Sequence, residues 1–476
     1  MKPIHTFGMG LPLPARGPVG PAWRPRALCL APTFLFAITL LIARPVLAGQ
    51  APAQPASPAT TLQLTLRDAV AMALRQNPQV QIGALNLARS QQDRNLAISA
   101  LLPQASLDVT DQAVRANVEA DFGGPLPVPG FAEHIGPFQI FSAGTLFSAP
   151  VFDLSLWRRL EASGHEVTES GYDRMGVREQ VTLLVVSQYL ASLRNSATVQ
   201  AARARVALAQ ALYDQAEDLQ KHGVSTGLDT LRANVELQNE QQSLIQAETA
   251  EKTSLYGLAR LLNVSPNAQI VLADRISFYQ TPPFTAAQSI SQALTNRPEM
   301  KSIEARQLRL DDELRAAGDQ KLPSLSFQGL YLQQGISAST VIPTYIYEAR
   351  VEFPLFTGGR IHAQEAGARL DLAVLAQQKT DLINQIALEV KTAVADLEAA
   401  RHEVQVATLG VELAREEVSQ SRDRFQAGVA DNIEVVSAQD ALARANSNQI
   451  GALYRYNEAR AQLARATGQI QNVYLK

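Results

Sequence analysis

The residues that could perform chemistry are few in this sequence, and their spacing does not suit catalysis. Six histidines are scattered without the short separations that metal ligands need: His5, His134, His165, His222, His362 and His402. The pairs Thr226-Gly227 and Gly358-Gly359 are too short to cradle a phosphate, and no P-loop lysine follows them. No serine, histidine and aspartate occur in an order typical of hydrolases. The sequence therefore predicts a protein that is not an enzyme and that has no metal or other cofactor.

The first 48 residues are predicted to be a signal peptide. Arg24 and Arg26 precede an apolar run from Ala27 to Ile42, and Val46-Leu47-Ala48 provides the small residues that a signal peptidase reads. The alternative is a membrane-anchoring helix, but the run is short and Pro45 follows it. Cleavage after Ala48 would therefore produce an exported protein.

The remaining chain would lack cysteine and would be mildly acidic. The single cysteine, Cys29, lies inside the predicted signal peptide, which argues against disulfides and thiol catalysis. Segment 1–48 contains five basic residues and no acidic residue, so its removal changes the formal net charge from −3 to −8. An acidic chain offers no basic surface for nucleic acid, so none is expected as a partner.

A long heptad pattern dominates the second half of the sequence. Apolar residues recur at every seventh position: Ile383, Val390, Leu397, Val404, Val411, Val418 and Phe425. Small residues mostly follow three positions later, which is typical of a closely packed coiled coil. The pattern spans about His362 to Ala427, a helix of about 100 Å at ~1.5 Å per residue. A glycine, Gly428, is expected to end it, and alanines from Ala438 to Ala466 predict a second helix folded back on the first.

The sequence is an internal duplication. Ala73-Leu74 and Pro78 recur as Ala293-Leu294 and Pro298 at an offset of 220, while Gly223-Val224 recurs as Gly428-Val429 at an offset of 205. Each copy reads as a helix of about 30 residues, a strand pair and a long helical hairpin. The expected short helices are Arg67–Leu101 and Ala287–Lys321, and the expected long helices of the first copy are about Ser155–Lys221 and Leu228–Leu262.

Four strands are expected, two in each copy. The first pair is about Ser106–Val114 and Phe138–Phe152, and the second is Leu325–Gln333 and Tyr345–Leu355, with Pro343 in the loop between them. The last strand alternates apolar and polar residues, so one face would meet lipid or core and the other water. A closed membrane barrel needs about eight strands or more. The four strands therefore form either a small soluble sheet or one part of a barrel that several chains share.

Several of these motifs resemble those of the TolC-type outer-membrane efflux proteins. They are the duplicated Asn-Pro/Arg-Pro helix, the two Leu-Pro-x-x-Ser runs, Pro354–Arg360 and the turn Phe425–Val429. The resemblance implies a mainly α-helical, internally duplicated fold with a membrane portion. Three chains would share one twelve-stranded barrel, four strands per chain, continued by a coiled-coil helical barrel across the periplasm. The implied partners are two further copies, outer-membrane lipid, a periplasmic adaptor and an inner-membrane pump.

The resemblance also implies roles for the tips of the two helical hairpins. The tips expected to contact the adaptor are Gly223, Val224, Ser225 and Thr226, and Gly428, Val429, Ala430 and Asp431. From the residues alone these are two ordinary turns. The family often places two acidic residues at the closed entrance; Glu434 matches the first, Ser437 stands at the second, and Asp431 lies nearby. A solvated carboxylate at a helix start is the alternative reading of Glu434.

These patterns divide the chain into six segments and favour an export channel. The segments are a signal peptide (1–48), an Ala/Pro-rich linker (49–60), a first repeat (61–263), a connector (264–286), a second repeat (287–468) and a tail (469–476). The predicted function is a passive outer-membrane duct of an efflux or type I secretion system. The alternatives are a periplasmic adaptor, which usually carries one hairpin, and an exported coiled coil without a pore.

Overall fold

The computed structural model describes most of the chain after residue 60. The described residues are 61–117, 120, 124, 134–223, 226–265, 267–275, 277–278, 285–427, 429 and 432–475. The predicted signal peptide and linker lie outside this part of the chain. Within it, every helix is too short or too polar to cross a bilayer.

Four long helices form two hairpins. In the first repeat, α3 (Leu154–Lys221) is followed by α4 (Gly227–Leu262), and in the second, α7 (Arg360–Gln426) is followed by α8 (Asn432–Ala466). These bounds confirm the predicted long helices to within two residues for α3, α4 and α7. The heptad seam of α7 is buried, for example at Val390 and Val404, which are 0% and 5% exposed. Small residues on the facing helix, such as Ala452, are also buried, so the hairpin packs closely.

The short helix of each repeat is broken, and the prediction of one helix of about 30 residues was wrong. The first consists of α1 (Leu66–Gln76) and α2 (Pro78–Ser99); the second consists of α5 (Ala286–Asn296) and α6 (Pro298–Asp319). The residue before each proline is extended, with ψ of 131° at Asn77 and 129° at Arg297. Proline excludes its predecessor from helical geometry but favours the first helical position, so one helix ends where the next begins.

One antiparallel sheet contains the four predicted strands in the order β2-β3-β5-β6. Their bounds are β2 (Gln104–Asn117), β3 (His134–Phe152), β5 (Ser324–Gly335) and β6 (Ile342–Glu352). The last strand ends three residues before the predicted Leu355. Pro343 was predicted to lie in a loop but is in β6, opposite Gln333. Because β6 is an edge strand, a proline without an N–H donor is tolerated there.

A small second sheet joins the start of the first repeat to the connector. Strand β1 (Thr61–Leu64) pairs in parallel with β4 (Gln269–Leu272). The buried Tyr189 of α3 donates its hydroxyl proton towards the Leu64 carbonyl and the Asp274 carboxylate, both at 2.9 Å. Helix α9 (Ile470–Leu475) completes the described tail. The connector and tail are thus anchored to the long helices.

Candidate functional site

The tip of the first hairpin is built from the end of α3 and the start of α4. Gly223 has a φ of +74°, a left-handed conformation that favours glycine, and its N–H donates to the Gln220 carbonyl. Val224 and Ser225, predicted adaptor contacts, lie outside the described residues. The sequence correctly located this turn; contact with an adaptor stays a prediction.

Thr226 and the residues after it hold the first tip together. The Thr226 N–H and hydroxyl donate to the Asp229 carboxylate at 3.2 and 2.7 Å, which caps α4. One turn later, the Thr230 hydroxyl donates to the Gln220 side-chain carbonyl across the hairpin at 2.7 Å. The Asp229 carboxylate is therefore engaged in a structural cap.

The tip of the second hairpin exposes Val429. This side chain is 71% exposed, and its N–H donates to the Arg424 carbonyl at 3.0 Å. Gly428, Ala430 and Asp431 lie outside the described residues, so their predicted tip and entrance roles stay predictions.

Glu434, the candidate entrance carboxylate, forms an ion pair within its own hairpin. It lies in the first turn of α8, and its Oε1 is 3.3 Å from Nε of Arg424 in the last turn of α7. Ser437 is exposed one turn further on, whereas the neighbouring Val435 and Ala438 are buried against the hairpin. Glu434 and Ser437 therefore share an exposed face. The sequence analysis missed Arg424, although a basic residue in the last turn of a helix is a recognisable signal.

One face of the four-stranded sheet is aromatic and exposed in the single chain. Phe327 contacts Phe147 on one neighbouring strand and Tyr347 on the other, with ring centroids 6.0 and 6.4 Å apart, and Tyr345 lies 5.7 Å from Tyr347. Tyr345 and Tyr347 are 65% and 63% exposed. A soluble sheet would bury such a face, whereas a membrane sheet presents it to lipid.

The opposite face carries a polar row across three strands. Ser148, Gln328 and Glu348 are paired in register, and the neighbouring row is Leu146, Leu330 and Ile346. Both rows line a hollow of about 570 Å³. This face is therefore more polar than the aromatic face, as the alternation in β6 predicted, although it also carries an apolar row.

A buried ionic cluster lies where the two repeats meet, and the sequence analysis did not identify it. Arg465 of α8 lies 3.3 Å from Glu179 of α3 and also contacts Glu299 of α6. Arg297 reaches Glu299 at 3.3 Å and Glu389 of α7 at 2.5 Å. These ion pairs thus connect four helices: α3, α6, α7 and α8. The sequence does not show which of these distant charged residues pair in the folded chain.

Glu179 is the most perturbed carboxyl group of this cluster. It is 7% exposed, and its Oε2 makes no hydrogen bond to any described residue. Burial raises the pKa of Glu179 to about 7, although the charge of Arg465 opposes the rise. For Glu299, two arginines outweigh burial and lower the pKa. The two carboxyl groups therefore respond to pH in different ranges.

The described residues contain no group of three or more His, Cys, Asp and Glu side chains that could hold a metal ion. Among the histidines, His165 lies 3.4 Å from the buried Asp312 and the His222 ring contacts the Asp218 carbonyl at 2.7 Å. Both contacts join parts of the helical scaffold. The distinctive surfaces of the chain are its two tips and its two-faced sheet.

The chain thus combines two long helical hairpins with a two-faced four-stranded sheet. The profile of the outer membrane efflux protein family matches residues 69–264 and 289–469. The chain therefore belongs to the outer membrane efflux protein family. It is an outer-membrane channel component, a passive duct and not an enzyme.

Similarity to individual relatives extends over most of the chain. It is 23% identical over 419 residues to the alkaline protease secretion protein AprF of Pseudomonas aeruginosa, covering 84% of this chain and 83% of the relative. It is 22% identical over 390 residues to the outer membrane protein TolC of Vibrio cholerae, covering 78% and 83%. The likeness is therefore not confined to one repeat.

Solved structures of outer-membrane channels share the fold. The Campylobacter jejuni CmeC channel matches with a TM-score of 0.73 at 17% identity, covering 85% of this chain and 86% of that chain. VceC of Vibrio cholerae matches with a TM-score of 0.71 at 16% identity, covering 85% and 96%. The mainly α-helical fold with a β portion, which the family resemblance implied, is confirmed.

Proposed function

We propose that three copies of this chain form one outer-membrane export channel. Four strands from each chain would close a twelve-stranded barrel, with the aromatic face towards lipid and the polar face towards the lumen. The two-faced sheet carries this proposal: its strands have 11 to 19 residues, long enough to cross a bilayer when tilted. Its outer edges, on β2 and β6, have no strand partner among the described residues, and open edges are not tolerated in lipid.

The helices would continue the duct into the periplasm. Helix α3 has 68 residues and α7 has 67, so each is about 100 Å long at ~1.5 Å per residue. The tips at Gly223 and Val429 would meet a periplasmic adaptor, and an inner-membrane pump would supply the energy. The family's role as the outer-membrane part of three-component export systems supports this arrangement.

The test is assembly and conductance of the full-length protein. We expect it in the outer-membrane fraction, as a trimer in detergent and as an ion-conducting channel in planar bilayers. Recovery from the soluble periplasm would exclude the channel and favour the adaptor or coiled-coil alternatives. A stable detergent-solubilised monomer would exclude the shared barrel.

We infer that the exported substrate is a polypeptide, as in type I secretion. The support is the similarity to a relative described as a protease secretion protein, which covers 84% of this chain. Deleting the gene should remove one or more proteins from the culture medium. An unchanged set of secreted proteins, with new sensitivity to small toxic molecules, would instead assign the channel to small-molecule efflux.

A further inference from the structure

An open cavity of about 500 Å³ lies where the start of the first repeat, the connector and the tail meet the long helices. Its wall includes residues of α1, α3, α8 and α9 and of the segment that follows β4. Tyr189, one of these wall residues, lies near the middle of the 68-residue α3, about 50 Å from the sheet at ~1.5 Å per residue. The cavity is therefore far from the membrane part proposed for the sheet, and a ligand would reach it from water.

The charged part of the cavity wall is mostly basic. Among the described residues, three arginines and one aspartate line it: Arg67, Arg275, Arg460 and Asp274. The Asp274 carboxylate already accepts hydrogen bonds from the Leu66 N–H at 2.7 Å and from the Tyr189 hydroxyl at 2.9 Å. By contrast, the exposed Arg67 and Arg275 form no ion pair within the described part of the chain. The cavity therefore has an excess of positive charge.

The tail adds a hydroxyl donor to the same wall. Tyr474 of α9 is partly buried, and its hydroxyl makes no hydrogen bond to any described residue. Burial raises the pKa of Tyr474, although the nearby positive charge of Arg460 on α8 opposes the rise. The hydroxyl therefore keeps its proton at neutral pH and can donate a hydrogen bond to a ligand. Guanidinium and hydroxyl donors together suit the oxygens of a carboxylate or a phosphate.

The buried part of the cavity wall is apolar. Leu190 and Leu193 of α3 are 6% and 9% exposed and belong to a hydrophobic core cluster of the chain. Leu66 of α1 and Val473 of α9 extend this apolar surface along the cavity. Binding sites for small molecules are typically concave and mostly apolar, with a few polar groups that fix the orientation of the ligand. This cavity combines both kinds of surface.

We propose that this cavity, here called the junction cavity, binds a water-soluble organic anion whose carboxylate or phosphate group contacts the arginines and Tyr474 while its apolar body contacts the leucines. An inorganic anion would use only the polar part of the wall, and an organic cation would meet three arginines. The ligand would contact both repeats, the connector and the tail, so its binding should stabilise their junction. This site does not depend on the proposed channel, because all of its wall residues belong to one chain.

Isothermal titration calorimetry on the full-length protein in detergent tests the junction cavity. The probes 2-naphthoate and 2-naphthyl phosphate share one apolar body and differ in the anionic group, whereas 2-naphthol has that body without the charge at neutral pH. We expect saturable binding of at least one anion, and binding of 2-naphthol that is weaker by about tenfold or more. The anion that binds more tightly identifies the ligand class as carboxylate or phosphate. Absence of saturable binding by both anions, or equal binding of 2-naphthol, would overturn the site.

Matched arginine variants locate the bound anion. Arg67→Gln combined with Arg275→Gln should weaken binding by about tenfold or more. Tyr474→Phe keeps the ring, should weaken binding by about threefold, and tests the same wall if the double variant does not fold. The control, Arg89→Gln with Arg444→Gln, removes the same charge from side chains that are 82% and 68% exposed and do not line the cavity. Affinity that is unchanged in both cavity variants, or lost equally in the control, would show that the anion does not bind in the junction cavity.

Discussion

Replacing Arg424 with alanine should make the proposed channel more selective for cations. Arg424 and Glu434 form a 3.3 Å ion pair, and their side chains are 58% and 39% exposed. An exposed pair of this kind contributes only about 0.2–1 kcal/mol to stability, so the fold should survive the change. Removing the arginine would make the charge at the second tip more negative by one per chain, and by three per trimer.

The expected size of the effect follows from Coulomb's law. Three carboxylates, each placed about 10 Å from a monovalent cation, would interact with it by about 1.2 kcal/mol in water. At 0.1 M salt, screening over one Debye length reduces this to about 0.5 kcal/mol. The local cation concentration then rises by a little more than twofold and the anion concentration falls by the same factor, a change of about fivefold in their ratio. At 1 M salt the Debye length is about 3 Å, and the effect should disappear.

The assay is the reversal potential of single channels in planar bilayers under a salt gradient. Arg424→Ala should shift it towards the cation equilibrium potential, and Glu434→Ala should shift it in the opposite direction. Arg415→Ala changes the same total charge on an exposed part of α7 further from the tip and should have less effect. Equal shifts in all three variants, or no shift at 0.1 M salt, would refute an entrance at this tip.

Three further predictions concern the helical scaffold. The contribution of Glu179 to stability should fall as pH rises from about 4.5 to 7, because folded Glu179 with its raised pKa binds a proton that the unfolded chain releases. Glu179→Gln should remove this contribution to the pH dependence, worth about 3 kcal/mol, in thermal unfolding across pH. Tyr189→Phe should lower the free energy of unfolding by about 1–3 kcal/mol, because the Asp274 carboxylate loses the buried hydroxyl that donates to it. An unchanged midpoint of denaturant unfolding would contradict this prediction. Ala407→Leu should overpack the partly buried α7–α8 seam by about 1–3 kcal/mol and lower trimer yield on native gels, where wild-type assembly would count against it.

The long helices were predictable because heptad spacing reports burial directly. Val390 and Val404 are both buried in the hairpin that their spacing indicated. The break at Asn77 and Arg297 was missed, because proline was read only as a stop at the end of a helix and not as the first residue of a second one. The proline at each break is a local feature that is compatible both with a helix end and with a helix start.

The parts that could not be predicted depend on contacts between distant segments. The cluster around Glu179 and Arg465 joins residues almost 290 positions apart, and neither has a local pattern that indicates its partner. The candidate entrance was only partly predictable. The sequence placed Glu434 at a helix start, but the geometry of the turn brings Arg424 beside it. Charge at a site depends on such neighbours, whereas helix formation depends mainly on the sequence nearby.

The two hairpins are attached to the sheet in unequal ways. Only Asp153 separates β3 from α3, and its carboxylate accepts bonds from the N–H groups of Ser155 and Leu156 at 2.9 and 3.2 Å. Between β6 and α7 lie seven residues, including Gly358 and Gly359 with φ of +59° and +82°.

Because a single residue joins β3 to α3, a change in the angle between them would move the whole helix. A tilt of about 5° where α3 leaves the sheet would displace the far end of a helix of about 100 Å by about 9 Å. The first hairpin is therefore the stiff arm, which transmits sheet motion to its tip. The root of the second hairpin has no such single-residue connection, so the buried contact between Arg465 and Glu179 helps to hold that hairpin beside α3.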